Sequence, residues 1–193
     1  ALKDTEYYPL LQEFDGNNLA HIENELDKLY YTVLFEAIGT PKSKDRKLFA
    51  KVVKLEVDVK NLINLFRLKK AGVGKLDEIM PLMIEGGLEL KPEKLAALPY
   101  DEFVNGLQKT QYWDAVSGVT DLDTTPLTTL ESRLTRYYLE TATTYSHASP
   151  LSIVPVMDYI IHKNNEVVTY LERSLLKAAI SGMVGKGEGA SGL

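Results

Sequence analysis

Apolar positions along the chain recur at intervals of three and four, and strict alternation is rare, so the pattern reads as helical nearly throughout. It is strongest over residues 42–75, where Leu48, Val52, Leu55, Val59, Leu62 and Phe66 fall on one helix face. Thr40 and Pro41 are placed to open that helix, the hydroxyl as a cap and the proline with φ already helical. Ala71-Gly72 is placed to close it, because glycine takes the left-handed conformation without a Cβ penalty.

The same reading extends to the rest of the chain. A short helical piece over 1–17 stops at the turn cluster Asp15-Gly16-Asn17. A helix over 19–38 follows, with Ile22, Leu26, Leu29 and Val33 as its stripe, Asn17 or Asn18 as its cap and Gly39 at its end. Residues 76–83 predict one or two helical turns, Glu85-Gly86-Gly87 a turn, 93–98 a brief helix between Pro92 and Pro99, and Asp101 the cap of another to Leu107. Thr125-Pro126 opens a helix to about Tyr145 carrying Leu127, Leu130, Leu134 and Tyr138. Ser149-Pro150 opens the last, carrying Ile153, Met157, Ile160, Val167, Leu171 and Leu175 as far as Gly182, with a kink expected at Pro155.

The order of a short helix, a tyrosine-rich helix and a proline-opened long helix recurs. Residues 1–8 (ALKDTEYY) lie over 106–113 (GLQKTQYW), and 22–31 (IENELDKLYY) over 130–139 (LESRLTRYYL), a period of about 107 residues. Chance similarity among amphipathic helices is the competing explanation. The fold class is therefore all-α, built of duplicated helical-bundle modules. The chain divides into a first helical repeat (1–74), connecting short helices and turns (75–105), a second helical repeat (106–183) and a flexible tail (184–193).

Charge changes this picture at one place. Residues 42–75 hold eleven Lys or Arg against Asp45, Glu56 and Asp58, a net of +8 in a chain whose net charge is −5. Lys44, Lys47, Lys51, Lys54, Arg67, Lys69 and Lys70 are the candidate interface residues of this helix. The basic stripe admits three readings: a solvated face, a docking surface for an acidic protein or anionic head groups, or a nucleic-acid footprint. The chain has no cysteine, which removes disulfides, thiolate nucleophiles and cysteine-ligated zinc and suits a reducing cytosolic setting. No apolar run approaches the roughly 18 residues of a membrane span.

Catalytic motifs are lacking. Gly72-Val73-Gly74-Lys75-Leu76 departs from a phosphate-binding loop, because the loop's first glycine is missing upstream and Leu76 stands where Ser or Thr belongs. His21, His147 and His162 have no metal-ligand spacing, and Ser and Thr occur without a nucleophile elbow. Glu23 and Glu131, matched between the repeats, read better as first-turn acids than as a catalytic pair. The eleven tyrosines read as helix-interface residues with their hydroxyls at the rim, a stacking surface for nucleic acid being the alternative. Neither a metal nor a cofactor is expected.

The basic helix also carries a family signature. Asp45, Arg46, Leu48, Phe49, Glu56, Val57, Asp58, Asn61, Leu62, Phe66, Arg67, Leu68, Lys69, Gly72 and Val73 resemble the run found in the C subunit of archaeal A-type and bacterial V/A-type rotary ATPases. The same family includes the d subunit of eukaryotic vacuolar ATPases. Phe66 replaces the usual leucine. Residues 21–31 and 150–183 resemble the helix before the signature and the C-terminal helix, including Pro150, Pro155, Lys163, Glu166 and Val167. Tyr170-Leu171-Glu172 departs from the family's Asn-Leu-Arg.

The resemblance implies an all-helical protein of three similar domains in a funnel-like arrangement, of which this chain holds two. It implies a non-catalytic central-stalk connector, cytoplasmic and peripheral to the membrane, between the central shaft and the membrane rotor ring of a proton- or sodium-translocating machine. It implies a piece lacking the N-terminal domain. Glu56, Asp58, Asn61 and Gly72 are then expected to be structural, the polar ones and Arg67 making contacts between helices. A nucleic-acid or membrane-surface binding module using 42–75 is the alternative.

Overall fold

The computed structural model describes residues 3–14, 16 and 19–187. Its helices are α1 (Tyr8–Glu13), α2 (Leu19–Ile38), α3 (Lys44–Lys70), α4 (Leu76–Ile79) running into a 3-10 turn (Met80–Leu82), α5 (Pro92–Ala96), α6 (Tyr100–Leu107), α7 (Trp113–Val116), α8 (Leu127–Ala148) and α9 (Val154–Gly187). Among the described residues there is no strand, and the fold is all-α.

The long helix α3 is the hub. Val52, Leu55, Val59, Leu62 and Phe66, five of its predicted stripe, are buried, and Leu48 is partly so. Full burial of such a side chain contributes roughly 1.5–3 kcal/mol each. The stripe is only half of the helix's buried surface. Ala50, Val53 and Val57 are buried on its other side with Tyr31 and Ile38 of α2 and Ile84. Two cores therefore meet on one helix. The larger draws on α3, α5, α6, α7, α8 and Val154 of α9, so it runs continuously from residue 52 to residue 154.

Contacts fix the helix directions. Arg67 meets Glu131, Glu56 meets Tyr138 and Lys51 meets Tyr145, so α8 runs antiparallel along α3. Asp27 meets Lys60, and Ile38 shares a core with Ala50, so α2 is antiparallel to α3 on the other flank. α9 folds back on α8, and Thr143 Oγ1 donates to Asp158 Oδ1 at 2.9 Å.

Several element boundaries differ from expectation. α3 begins at Lys44, not behind Pro41, because Ser43 is its cap: Ser43 Oγ accepts from Arg46 N–H at 3.2 Å. Its far end is as expected. Gly72 has φ +74°, Gly72 N donates to Lys69 O, and Val73 N donates to Leu68 O at 3.0 Å, closing the last turn as a Schellman motif. Pro155 does not kink α9, since the helix starts at Val154 and the proline falls in its first turn, where no N–H is required. Residues 150–153 form turns instead, and Ser152 Oγ accepts from Val154 N–H. The short α7 has no counterpart in the predicted pattern. α9 passes Gly182 and continues through Gly187, so 184–187 are helical, while 188–193 and the Asn17 and Asn18 caps lie outside the described residues.

The predicted stripe of α9 is also not a buried one. Val154 is buried and Met157 and Ile161 pack on the core, but Ile153, Ile160, Val167, Leu171 and Leu175 are exposed.

Candidate functional site

The polar residues of α3 hold neighbouring segments. Asn61 works as a surrogate peptide: its Nδ2 donates to Ile84 O at 2.7 Å, and its Oδ1 accepts from Ile84 N at 2.8 Å. Asp58 is fully buried, and its Oδ2 accepts from Glu89 N at 2.7 Å, Leu90 N at 3.1 Å and the Tyr112 hydroxyl at 2.7 Å. Its Oδ1 faces Gly87, where an added Cβ would fall well inside van der Waals contact. Burial first, and then the bond to Asp58, pushes the Tyr112 hydroxyl up from its ordinary value. The connecting turn is thus clamped to the middle of α3.

Glu56 forms a second polar cluster, where α3 meets α2 and α8. The Tyr138 hydroxyl donates to Glu56 Oε2 at 3.2 Å, and the Tyr31 hydroxyl also bonds this carboxyl. Burial raises the Glu56 carboxyl above the usual carboxylate range, opposed by the Lys60 charge and the two tyrosine bonds. Lys60 in turn bridges Asp27 at 2.8 Å. Glu56 also borders a cleft of about 460 Å³ between α2, α3, α8 and α9, otherwise lined mostly by apolar side chains such as Phe49, Met157 and Ile161.

The basic residues separate into two groups at opposite ends of α3. At the C-terminal end, Arg67 Nε bridges Glu131 at 2.8 Å. Lys69 Nζ donates to Ala96 O at 2.7 Å and Leu98 O at 2.6 Å, and Lys70 Nζ donates to Leu122 O at 2.8 Å. Burial lowers the Lys69 amine from its ordinary value. These three cations are engaged within the chain. Near the N-terminal end, Lys44, Lys47 and Lys51 are exposed and Lys54 is half-buried. Lys51 Nζ stands 4.5 Å over the Tyr145 ring. Lys47, Lys51 and Lys54 rim a groove of about 900 Å³, while Lys44 borders a smaller recess beside Asp45 and Ser149.

Of the four polar signature residues expected to reach other helices, Arg67 and Glu56 reach α8 and Asp58 reaches Tyr112 at the start of α7, whereas Asn61 binds only backbone of the 84–90 segment. The partners Glu89 and Tyr112 carry no sequence signal of their own; the Gly86-Gly87 pair is the available one. Gly86, at φ +94°, lies so close to Phe35 that a Cβ would meet the ring at 2.6 Å. The tyrosines divide: Tyr31, Tyr112 and Tyr138 are buried between helices, with Tyr112 edge to face with Tyr137 at 5.6 Å, whereas Tyr30, Tyr159 and Tyr170 are exposed. Among the described residues no group of three or more His, Asp or Glu side chains is placed to hold a metal ion, and no helix is long and apolar enough to cross a membrane.

The residues that hold α3 in this setting are the signature run, and the family model of the ATP synthase (C/AC39) subunit matches residues 1–169. The chain belongs to that family. It is 80% identical over 166 residues to the C subunit of the A-type ATP synthase of Methanosarcina barkeri, covering 86% of this chain and 46% of that one. It is 53% identical over 170 residues to the C subunit of Methanococcoides burtonii, covering 86% and 47%. Against the C subunit of Archaeoglobus fulgidus it is 34% identical over 170 residues, covering 86% and 48%. The chain thus spans just under half the length of these curated relatives. No solved structure matches it. The C/AC39 match ends inside α9, so the exposed Tyr170, Leu171 and Leu175 lie beyond it.

Proposed function

We propose that the protein is a non-catalytic connector of a rotary ATPase, joining the central shaft to the membrane rotor ring and carrying rotation between them during ATP-linked proton or sodium transport. Membership of the C/AC39 family carries this reading. The relatives' name, as C subunits of A-type ATP synthase, puts those proteins in such a complex. The connector works from the cytoplasmic side, peripheral to the membrane, and leaves ATP chemistry to other subunits. The present chain contributes two of three similar helical modules.

The architecture suits a part that must transmit torque. At 1.5 Å per residue, the 27 residues of α3 span about 40 Å, and α8 lies antiparallel along that length. The Asp58, Asn61, Arg67, Lys69 and Lys70 contacts tie α3 to five other segments, which resists sliding. The nucleic-acid or membrane-surface alternative would have to rest on Lys44, Lys47, Lys51 and Lys54 alone, because Arg67, Lys69 and Lys70 are spent on internal acceptors.

A pulldown of the full-length protein with shaft subunits, and separately with the detergent-solubilised ring, tests the proposal. Retention of both is expected; retention of neither would overturn it.

A further inference from the structure

The rim of the 900 Å³ groove carries lysines of α3 that form no ion pair among the described residues, Lys51 being engaged only with the Tyr145 ring. Its floor and far walls are apolar, with Tyr31, Phe35 and Ile38 from α2, Ala50 from α3, and Met83 and Ile84 from the clamped turn. Lys47, Lys51 and Lys54 stand along its α3 side, spaced by four and then three residues, so they share one helix face. Lys28 joins them from α2, already held by Glu25 at 2.9 Å. Glu36 and Glu85 are the acids on the rim. Among the described residues, Lys47 and Lys54 have no acidic partner within the 4.0 Å that defines an ion pair.

We infer that this groove receives an acidic amphipathic helix from another subunit of the complex, its apolar stripe on the floor and its carboxylates against Lys47, Lys51 and Lys54. Charge complementarity and charge geometry select this occupant. The three ammonium groups spread along about 10 Å of helix axis. A row of carboxylates at three- and four-residue spacing matches that array along its length, whereas one compact phosphate head group meets only part of it. The apolar floor fits the second face of such a helix, the helix-in-groove mode of recognition. The assignment rests on the connector reading, because it draws the partner from the same machine.

Carbodiimide cross-linking of the intact complex containing the full-length protein, followed by peptide mass spectrometry, tests it. Links from Lys47 and Lys54 to Asp or Glu at helical spacing in one other subunit are expected. Links only to acids elsewhere in the protein's own chain would mean that its own chain fills the groove, and would overturn the inference. So would the absence of links while acetylation labels both lysines freely. In the same full-length protein, the double variant Lys47→Glu/Lys54→Glu should bind the cross-linked partner at least tenfold more weakly, and Lys47→Arg/Lys54→Arg should bind normally. Undiminished binding of the Glu variant overturns the groove while leaving the connector standing, provided the complex assembles. Failure of the unmodified protein to assemble strikes the connector reading first. Binding to phosphatidylserine vesicles that depends on Lys47 and Lys54, with no link to another subunit, reassigns the groove to a lipid surface and also overturns the inference.

Discussion

The Tyr112 hydroxyl donates to Asp58 Oδ2 at 2.7 Å across 54 residues of chain, both side chains fully buried. This bond joins the middle of α3 to the start of α7, and the same oxygen holds the Glu89 and Leu90 amides. Asp58→Ala would strand two backbone donors and a hydroxyl, each costing roughly 1–3 kcal/mol when buried and unpaired. Tyr112→Phe removes one donor and leaves the two amide bonds intact. Urea unfolding should therefore show a loss of about 1–2 kcal/mol for Tyr112→Phe and a distinctly larger one for Asp58→Ala. Equal losses would show that Asp58 does not organise the turn.

Gly87 and Asp58 should be energetically coupled. A methyl at residue 87 collides with Asp58 Oδ1, so Gly87→Ala should destabilise by at least about 1–3 kcal/mol, as overpacking does. Combined with Asp58→Ala, the collision disappears. The double variant should lose less than the sum of the two single losses in a double-mutant cycle, with an interaction energy of about 0.5–3 kcal/mol, the range typical of contacting residues. Additive losses would contradict the contact.

Glu56 gives stability a pH dependence of unusual sign for a carboxylate. Its folded value is raised above the ordinary 4.5, chiefly by burial. As pH rises from 4.5, the unfolded chain releases this proton first while the folded protein retains it. The Glu56 contribution to stability therefore falls with rising pH until the folded carboxyl has also ionised. Below 4.5 both states are protonated and the contribution is full. Glu56→Gln should remove that slope, so its stability relative to the parent improves as pH rises from 4.5 in parallel denaturation series. Curves that stay parallel would show that Glu56 does not titrate abnormally.

The Arg67–Glu131 bridge is partly open to solvent, which limits its worth to about 1 kcal/mol or less. Arg67→Ala should lower the Tm by about 1–4 °C, at roughly 2–4 °C per kcal/mol for a chain of this size, without loss of assembly. An unchanged Tm with lost assembly would move Arg67 from a fold contact to an interface.

Helical periodicity makes the fold class and most of α2, α3 and α8 legible. The stripe from Leu48 to Phe66 predicts one buried face correctly and conceals the second, since Val53 and Val57 fall between its members and look like off-face residues of a surface helix. Thr40-Pro41 has the composition of a helix start, yet Ser43 makes the capping bond, so composition alone places the start of α3 too early. Pro155 carries the same ambiguity in reverse: a proline inside a periodic pattern predicts a kink, and one in the first turn predicts nothing of the sort. The apolar pattern of α9 promises burial that the described chain does not supply. Among charges, sequence groups Lys69 and Lys70 with Lys47 and Lys51. It cannot show that the former two reach the carbonyls of Ala96 and Leu122, because those acceptors lie on segments distant in the chain.

Bridging is the central claim, and a three-component sedimentation assay measures it. Purified shaft subunits and detergent-solubilised rotor ring should sediment together when the full-length protein is present and separately when it is omitted. Co-sedimentation of shaft and ring to the same extent without the protein would contradict the account.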